Sequence, residues 1–278
     1  MEIYIKSRGL QRDYYWVTKS ENQPIAENSE SIPTQAITLI NAATHLVEEK
    51  DFSLVLFRSQ NDKLLLLVTA LQTQRQDIQG RNIRNSIAWI GKNKEEFKLR
   101  QLAVLALKNE LEQKIDPAIN NYSGGFEVDW EAIEQTIQEL IPLSGAGKEP
   151  LPAEAEIKKI ARISETRKRQ LADELLKYCL PSEKTGALVV VTGIKSKESL
   201  EKAQVWRSLS SDTSIPEQRL QPLNQQTNDW YRENYSRKPK FKKRNRKSVK
   251  LASPKWRLTI ILIILAGGYA FLKYLIKI

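Results

Sequence analysis

Between Gln72 and Ser86 the chain reads QTQRQDIQGRNIRNS, placing three guanidinium groups, Arg75, Arg81 and Arg84, close in sequence to the carboxylate of Asp77. Arginine presents a planar fork of N–H donors that pairs with carboxylate or phosphate through parallel hydrogen bonds. Amides at Gln72, Gln74, Gln76, Gln79, Asn82 and Asn85 add directional partners. The stretch is therefore the candidate binding site for a small anionic ligand or a protein partner, carried by Arg75, Asp77, Arg81 and Arg84. The competing reading is a solvated hairpin tip, since polar connections of this kind usually face water.

Other chemistries find less support. With one histidine, His45, and one cysteine, Cys179, the chain lacks the ligands for a Cys/His zinc site and the pairs for a Ser-His-Asp or Cys-His hydrolase. His45 is expected on the polar face of a helix, and Cys179 packed at a helix end. A single cysteine also allows no intramolecular disulfide, which agrees with a reducing compartment. SGAGKE at 144–149 imitates a phosphate-binding loop, but the position for the first glycine is Pro142 and the final position is Glu149. A carboxylate there repels phosphate, and a linker is expected instead. Glu48, Glu49 and Asp51 cluster, and Glu156 and Lys158 have the spacing of a metal-dependent nuclease's last motif, but on a helical pattern. Thr192, Gly193 and the following Ser196 form a strand–glycine–helix junction that can hold an anion, helped by Lys195 and Lys197. No catalytic residue, metal or cofactor is expected. An enzyme reading would have to rest on Asp, Glu and Arg chemistry.

The elements that must carry these residues read as α+β. Glu2–Lys6 and Asp13–Val17 are strand-like. A helix opens after Pro33 and runs to about Glu49, with Ala36, Ile40, Ala43 and Val47 as its buried stripe. Phe52–Arg58, Lys63–Leu71 and Ile83–Ile90 form a strand meander, and the second strand is apolar throughout, as expected of a central position. The period then turns helical from Asn93 to Ile115, stopped by Pro117. Asp129 caps a further helix. Residues 142–152 are a linker and a candidate subdivision of the body. Ala153–Cys179 reads as one helix, with a break at Ser164 as the alternative. Gly186–Thr192 is a buried strand, and Ser196 caps a helix through Trp206. The expectation is a mixed, largely antiparallel sheet of about six strands with packed helices, spanning residues 1–208.

After Ser208 the composition shifts to Ser, Pro, Gln and Asn, and 209–256 is expected to be a disordered linker. It ends in SRKPKFKKRNRKSVK, which supplies Arg237, Lys238, Lys240, Lys242, Lys243, Arg244, Arg246, Lys247 and Lys250. Leu258–Leu272 is then 15 apolar residues. With flanking Trp256, Lys273 and Tyr274, a membrane helix over 257–276 reaches spanning length. Basic residues ahead of the span put the N-terminal bulk in the cytoplasm by the positive-inside rule. They also contact anionic lipid headgroups. No secretory signal is legible at the N-terminus. This C-terminal arrangement resembles that of tail-anchored proteins, which implies a cytosolic functional part and says nothing of activity. Ala266, Gly267, Gly268 and Ala270 offer a small-residue patch for weak homodimerisation.

The tail also explains the chain's charge. The net formal charge is +11, yet residues 1–231 hold 30 basic and 32 acidic side chains. A near-neutral body is not a basic nucleic-acid-binding domain. Nucleic acid remains an alternative partner only through the aromatic-interleaved basic block. The leading expectation is a tail-anchored binding or adaptor module for a cytosolic protein or small anion.

Overall fold

The structure, a computed structural model, describes residues 1–19, 32–140, 149–182, 184–215 and 221–222. Every described residue lies in one compact unit, Met1–Asn224.

The elements follow one another as β1 (Glu2–Ser7), β2 (Tyr15–Thr18), α1 (Thr34–Thr44), β3 (Ser53–Arg58), β4 (Lys63–Gln76), β5 (Asn82–Lys92), α2 (Glu96–Leu107) and α3 (Leu111–Ile115). Then come β6 (Ile119–Tyr122), β7 (Gly125–Val128), α4 (Trp130–Gln138), α5 (Ala153–Glu156), β8 (Lys159–Arg162), α6 (Glu165–Lys177), β9 (Gly186–Thr192), α7 (Lys197–Lys202), β10 (Arg207–Ser210) and β11 (Gln221–Pro222). Nine strands make one mixed sheet in the order β11-β8-β10-β9-β3-β4-β5-β1-β2, and β6 and β7 form a separate hairpin. Only β8, β10 and β9 run parallel to one another; the other pairings are antiparallel.

Alternation along the strands sends side chains to two cores, one on each face. Ile5, Leu54, Leu66, Ile87 and Trp89 pack with α2, α3, α4 and α6. Tyr4, Val55, Leu65, Leu67 and Ala88 pack with α1 and α7. The strand β4 is buried on both faces from Leu64 to Leu71, which is why it reads as a continuous apolar run. The crossover from β8 to β9 passes through α6 on one face, and the return to β10 passes through α7 on the other. Opposite directions over opposite faces keep a single hand, as parallel connections require.

The expected α+β class and mixed, largely antiparallel sheet hold, but the count of six strands is too low. One missed strand is β8, inside what reads as the helix 153–179. Ile160 and Ala161 are both buried, on opposite faces, and together with Ile157 their spacing also fits a helical stripe. The alternative break at Ser164 is real, since Ser164 Oγ accepts from Arg167 N at 3.2 Å and caps α6. The hairpin β6–β7 fills the segment between the Pro117 stop and the Asp129 cap, where no strand is expected. The strand β10 runs past 208 to Ser210, and Ile215 beyond it is buried, so the ordered part extends into the segment expected to be linker.

Three helices are shorter than expected, among them α7, which is expected through Trp206 and ends at Lys202. Of the others, the first stops at Thr44. The second breaks between α2 and α3 at Asn109, whose φ of 59° is tolerated by Asn. There Asn109 N bonds Ala106 O at 3.1 Å and Glu110 N bonds Leu105 O at 2.9 Å, the paired bonds of a Schellman stop.

A buried ionic network ties α2 to the segment entering β9. Glu96 accepts from Arg58 NH2 at 3.1 Å, from Leu180 N at 2.7 Å and pairs with Arg100 Nε at 3.2 Å. Arg100 in turn donates to the Leu175 and Tyr178 carbonyls at 2.7 and 2.6 Å.

No helix among the described residues is long and apolar enough to cross a membrane. The expected span 257–276, the basic residues from Arg237 to Lys250 and most of the expected linker lie outside the described residues.

Candidate functional site

The site begins with a bend in β4. Its register against β5 shifts between Val68 and Leu71, where Ala70 takes a φ of 58°. A β-bulge of this kind bends the strand. Beyond it, the far half of β4 and the near half of β5 project past the end of β3, whose pairing stops at Ser53 opposite Thr69. The backbone edge exposed there is covered by carboxylates near α3. Gln74 N donates to Asp116 Oδ2 at 3.0 Å and Gln72 N to Glu112 Oε2 at 3.4 Å.

At the tip the turn is closed by Asp77, whose side chain is 2 % exposed. It accepts from Gln79 N at 2.8 Å, Arg81 N at 3.0 Å and Arg81 Nε at 2.7 Å. Arg8 NH1 lies 3.5 Å from the same carboxylate. Burial acts to raise the Asp77 carboxyl, but the Arg81 N–H and guanidinium and the Gln79 N–H outweigh it and hold the group below the usual carboxylate range. Such a carboxylate stays ionised and makes a weak general base at neutral pH.

A pocket of about 420 Å³ lies beside this turn. Asp77, Arg81 and Asn82 of the tip and Arg84 and Ser86 of β5 line one part; Lys6 and Arg8 come from β1 and its end, Tyr14 from the approach to β2, and Glu49 and Lys50 from the connection before β3. Five cationic side chains thus face two carboxylates. Lys6 Nζ pairs with Glu49 Oε1 at 2.6 Å. Arg84 donates through NH1 to the Lys50 carbonyl, and its backbone N–H donates to Tyr14 Oη at 3.2 Å. The Arg8 guanidinium sits over the Tyr14 ring, 5.6 Å from its centroid.

Three of the four residues expected from sequence, Asp77, Arg81 and Arg84, therefore meet in one pocket. Arg75 does not line it. Its guanidinium donates to Ser7 Oγ at 2.6 Å, Asn85 Oδ1 at 2.8 Å, Asn121 Oδ1 at 3.3 Å and the Arg8 carbonyl at 3.4 Å. Burial lowers its pKa, partly countered by Asp116 and Tyr14. Arg75 is a half-buried strut between β1, β5 and β6. Sequence reasoning missed Lys6, Arg8, Tyr14, Lys50 and Ser86, and placed Glu49 only in a separate carboxylate cluster. Only Lys6 carried a local signal, since strand alternation sets it opposite Ile3 and Ile5.

The remaining candidates resolve as structural. His45 is exposed at the end of α1. Glu156 is exposed, and Lys158 donates to the side chain of Gln204. At the Thr192–Gly193 junction the chain supplies its own anion: Asp212 Oδ2 accepts from Lys197 N at 2.7 Å, while Ser196 Oγ accepts from Ser199 N at 3.2 Å. A second pocket of about 400 Å³ lies between α5, α6 and β10. Its Arg207 is already engaged by Glu174 through Nε at 2.7 Å and by the Ala155, Ile157 and Trp206 carbonyls. No group of three or more His, Cys, Asp or Glu among the described residues could hold a metal ion.

Compared with known proteins, the chain matches no family model, no curated protein and no solved structure.

Proposed function

We propose that this protein is a membrane-tethered binding module whose α+β body takes an anionic ligand, or an acidic surface of a partner, at the pocket beside the β4–β5 turn. The observation that carries the reading is the convergence of Lys6, Arg8, Lys50, Arg81 and Arg84 from separate segments on one pocket with only two carboxylates. The body as a whole is near neutral, with 30 basic and 32 acidic side chains in residues 1–231, so this excess is local. A pocket of about 420 Å³ also falls in the ordinary range for small-molecule sites.

The tether belongs to the same proposal: the basic block from Arg237 to Lys250 and the apolar 257–276 attach the chain to an anionic membrane with the body in the cytoplasm. Binding is favoured over catalysis because the pocket's buried carboxylate, Asp77, is held ionised by its donors, not poised for proton transfer.

The test is a titration of detergent-solubilised full chain with a fluorescent acidic peptide and a fluorescent phosphorylated probe. The wild type binds at least one of them, more weakly as salt rises. Arg81→Ala with Arg84→Ala weakens that binding by about 10- to 100-fold, the loss of one or two charge-assisted hydrogen bonds. Unchanged affinity in a folded double variant refutes the site.

A further inference from the structure

We propose that the pocket's preferred occupant is a phosphate monoester in its dianionic form, chosen over carboxylates. This inference rests on the reading of the pocket as an anion site and specifies its ligand class.

The pocket already shows what carboxylates achieve there. Asp77 takes Arg81 Nε at 2.7 Å and lies 3.5 Å from Arg8 NH1, and Glu49 takes Lys6 Nζ at 2.6 Å. An incoming carboxylate offers these three cations nothing beyond what the chain supplies. Among the described residues, the ion pairs that reach the pocket leave Lys50 and Arg84 without a carboxylate. Arg8 Nε is buried without a hydrogen-bond partner. Five cations against two carboxylates leave an excess that one monoanion does not neutralise.

The two cations left without a carboxylate also come from different directions, Lys50 from the connection before β3 and Arg84 from β5, with Arg81 of the turn and Arg8 at the end of β1 beside them. A planar carboxylate is satisfied by a single guanidinium fork. A phosphate monoester presents three terminal oxygens in a tetrahedral array and about two charges at neutral pH. Its geometry matches donors arriving from several sides. Tyr14, 39 % exposed, supplies the aromatic wall against which the organic part of the ester can lie.

The chemistry is shared by a lipid phosphomonoester headgroup and a soluble phosphorylated metabolite, and the experiment separates them. Full-length protein in vesicles of neutral lipid is titrated with glycerol 3-phosphate, sulfate and succinate at pH 7.5, and with the first two again at pH 5.0. The charged and titratable groups facing the pocket are Lys6, Arg8, Lys50, Arg81, Arg84, Glu49, Asp77 and Tyr14, with no histidine or cysteine among them. A monoester loses its second charge near pH 6 while sulfate keeps both. The expected result is glycerol 3-phosphate binding at least about 10-fold tighter than succinate at pH 7.5. Its affinity then falls about 10-fold at pH 5.0, well beyond any change for sulfate. Lys50→Gln, at an exposed position, and Arg84→Ala each remove the preference.

Two further sets of vesicles are compared at matched surface charge, an anionic phosphodiester lipid in one and a phosphomonoester lipid in the other. Weaker apparent binding of the soluble ester in the latter identifies a headgroup as the source, and unchanged binding identifies a soluble ester. Equal affinity for succinate and glycerol 3-phosphate overturns the ligand class and leaves the anion site standing. Binding of none of the three, with the fold intact, overturns both.

Discussion

Arg75 and Arg81 stand on the same hairpin with the same chemistry, and the structure gives them opposite tasks. Arg75 is spent on Ser7, Asn85, Asn121 and the Arg8 carbonyl, so removing it leaves buried acceptors and a void. Arg75→Ala is expected to lower stability by about 2–4 kcal/mol in a denaturant titration, whereas Arg81→Ala, which takes one of three hydrogen bonds from the buried Asp77 carboxylate, costs about 1–2 kcal/mol. Composition revealed that this stretch could bind an anion; it could not say which arginine the neighbouring strands would consume.

Lys184 makes a separate prediction. Burial first, then the charges of Lys158 and Arg207, push its ammonium from 10.5 down to about 8. Between those values the unfolded chain holds a proton that the folded chain has lost, so stability rises with pH across that window. Below pH 8 the folded state carries the full penalty. Lys184→Gln should therefore raise stability at pH 7 by on the order of 1 kcal/mol, once solvent screening of this half-buried group is allowed for, and flatten the rise between pH 8 and 10. Chemical denaturation at a series of pH values reads both effects.

Single elements were legible where one period dominated. The strand β9 matches its expected bounds because Gly186–Thr192 is apolar on both faces, and Asp129 caps α4 as expected, accepting from Ala132 N at 3.0 Å. Short elements with mixed signals were not. Only four residues long, β8 shares its apolar positions with a helical stripe, and β6–β7 is a hairpin of two four-residue strands in which Asn120, Asn121 and Gly125 read as turn residues, although Gly125 permits close approach of Tyr15. Tertiary partners decided these segments.

An ionic tie between elements is also invisible in sequence. Glu96 receives Arg58, Arg100 and Leu180 N in a largely dry setting, with the two guanidiniums 3 and 2 % exposed. Removing one member of a buried ionic network leaves uncompensated charge, so Glu96→Ala is expected to cost about 3–5 kcal/mol. A Glu96→Ala variant within about 1 kcal/mol of the wild type would contradict the assigned role of this network.

At the scale of the whole molecule, the sequence separated charge by region. The +11 net charge belongs to the tail, and the local excess on the body had to wait for the fold. Lys6, Arg8, Lys50, Arg81 and Arg84 are spread over most of the first 84 residues and meet only because β1 pairs with β5 and the connection after α1 reaches the same end of the sheet. On the proposed reading, the tether then converts binding into recruitment, since a captured anion or partner is held within the tether's reach of the membrane.

Recruitment is what a vesicle co-flotation assay reads directly. Full-length protein reconstituted in anionic vesicles is mixed with a fluorescent phosphomonoester-bearing probe and floated through a density gradient. The account predicts that the probe rises with the vesicles carrying wild-type protein and stays behind with vesicles carrying Arg81→Ala, Arg84→Ala. Equal probe recovery from both, or protein that does not float at all, would contradict it.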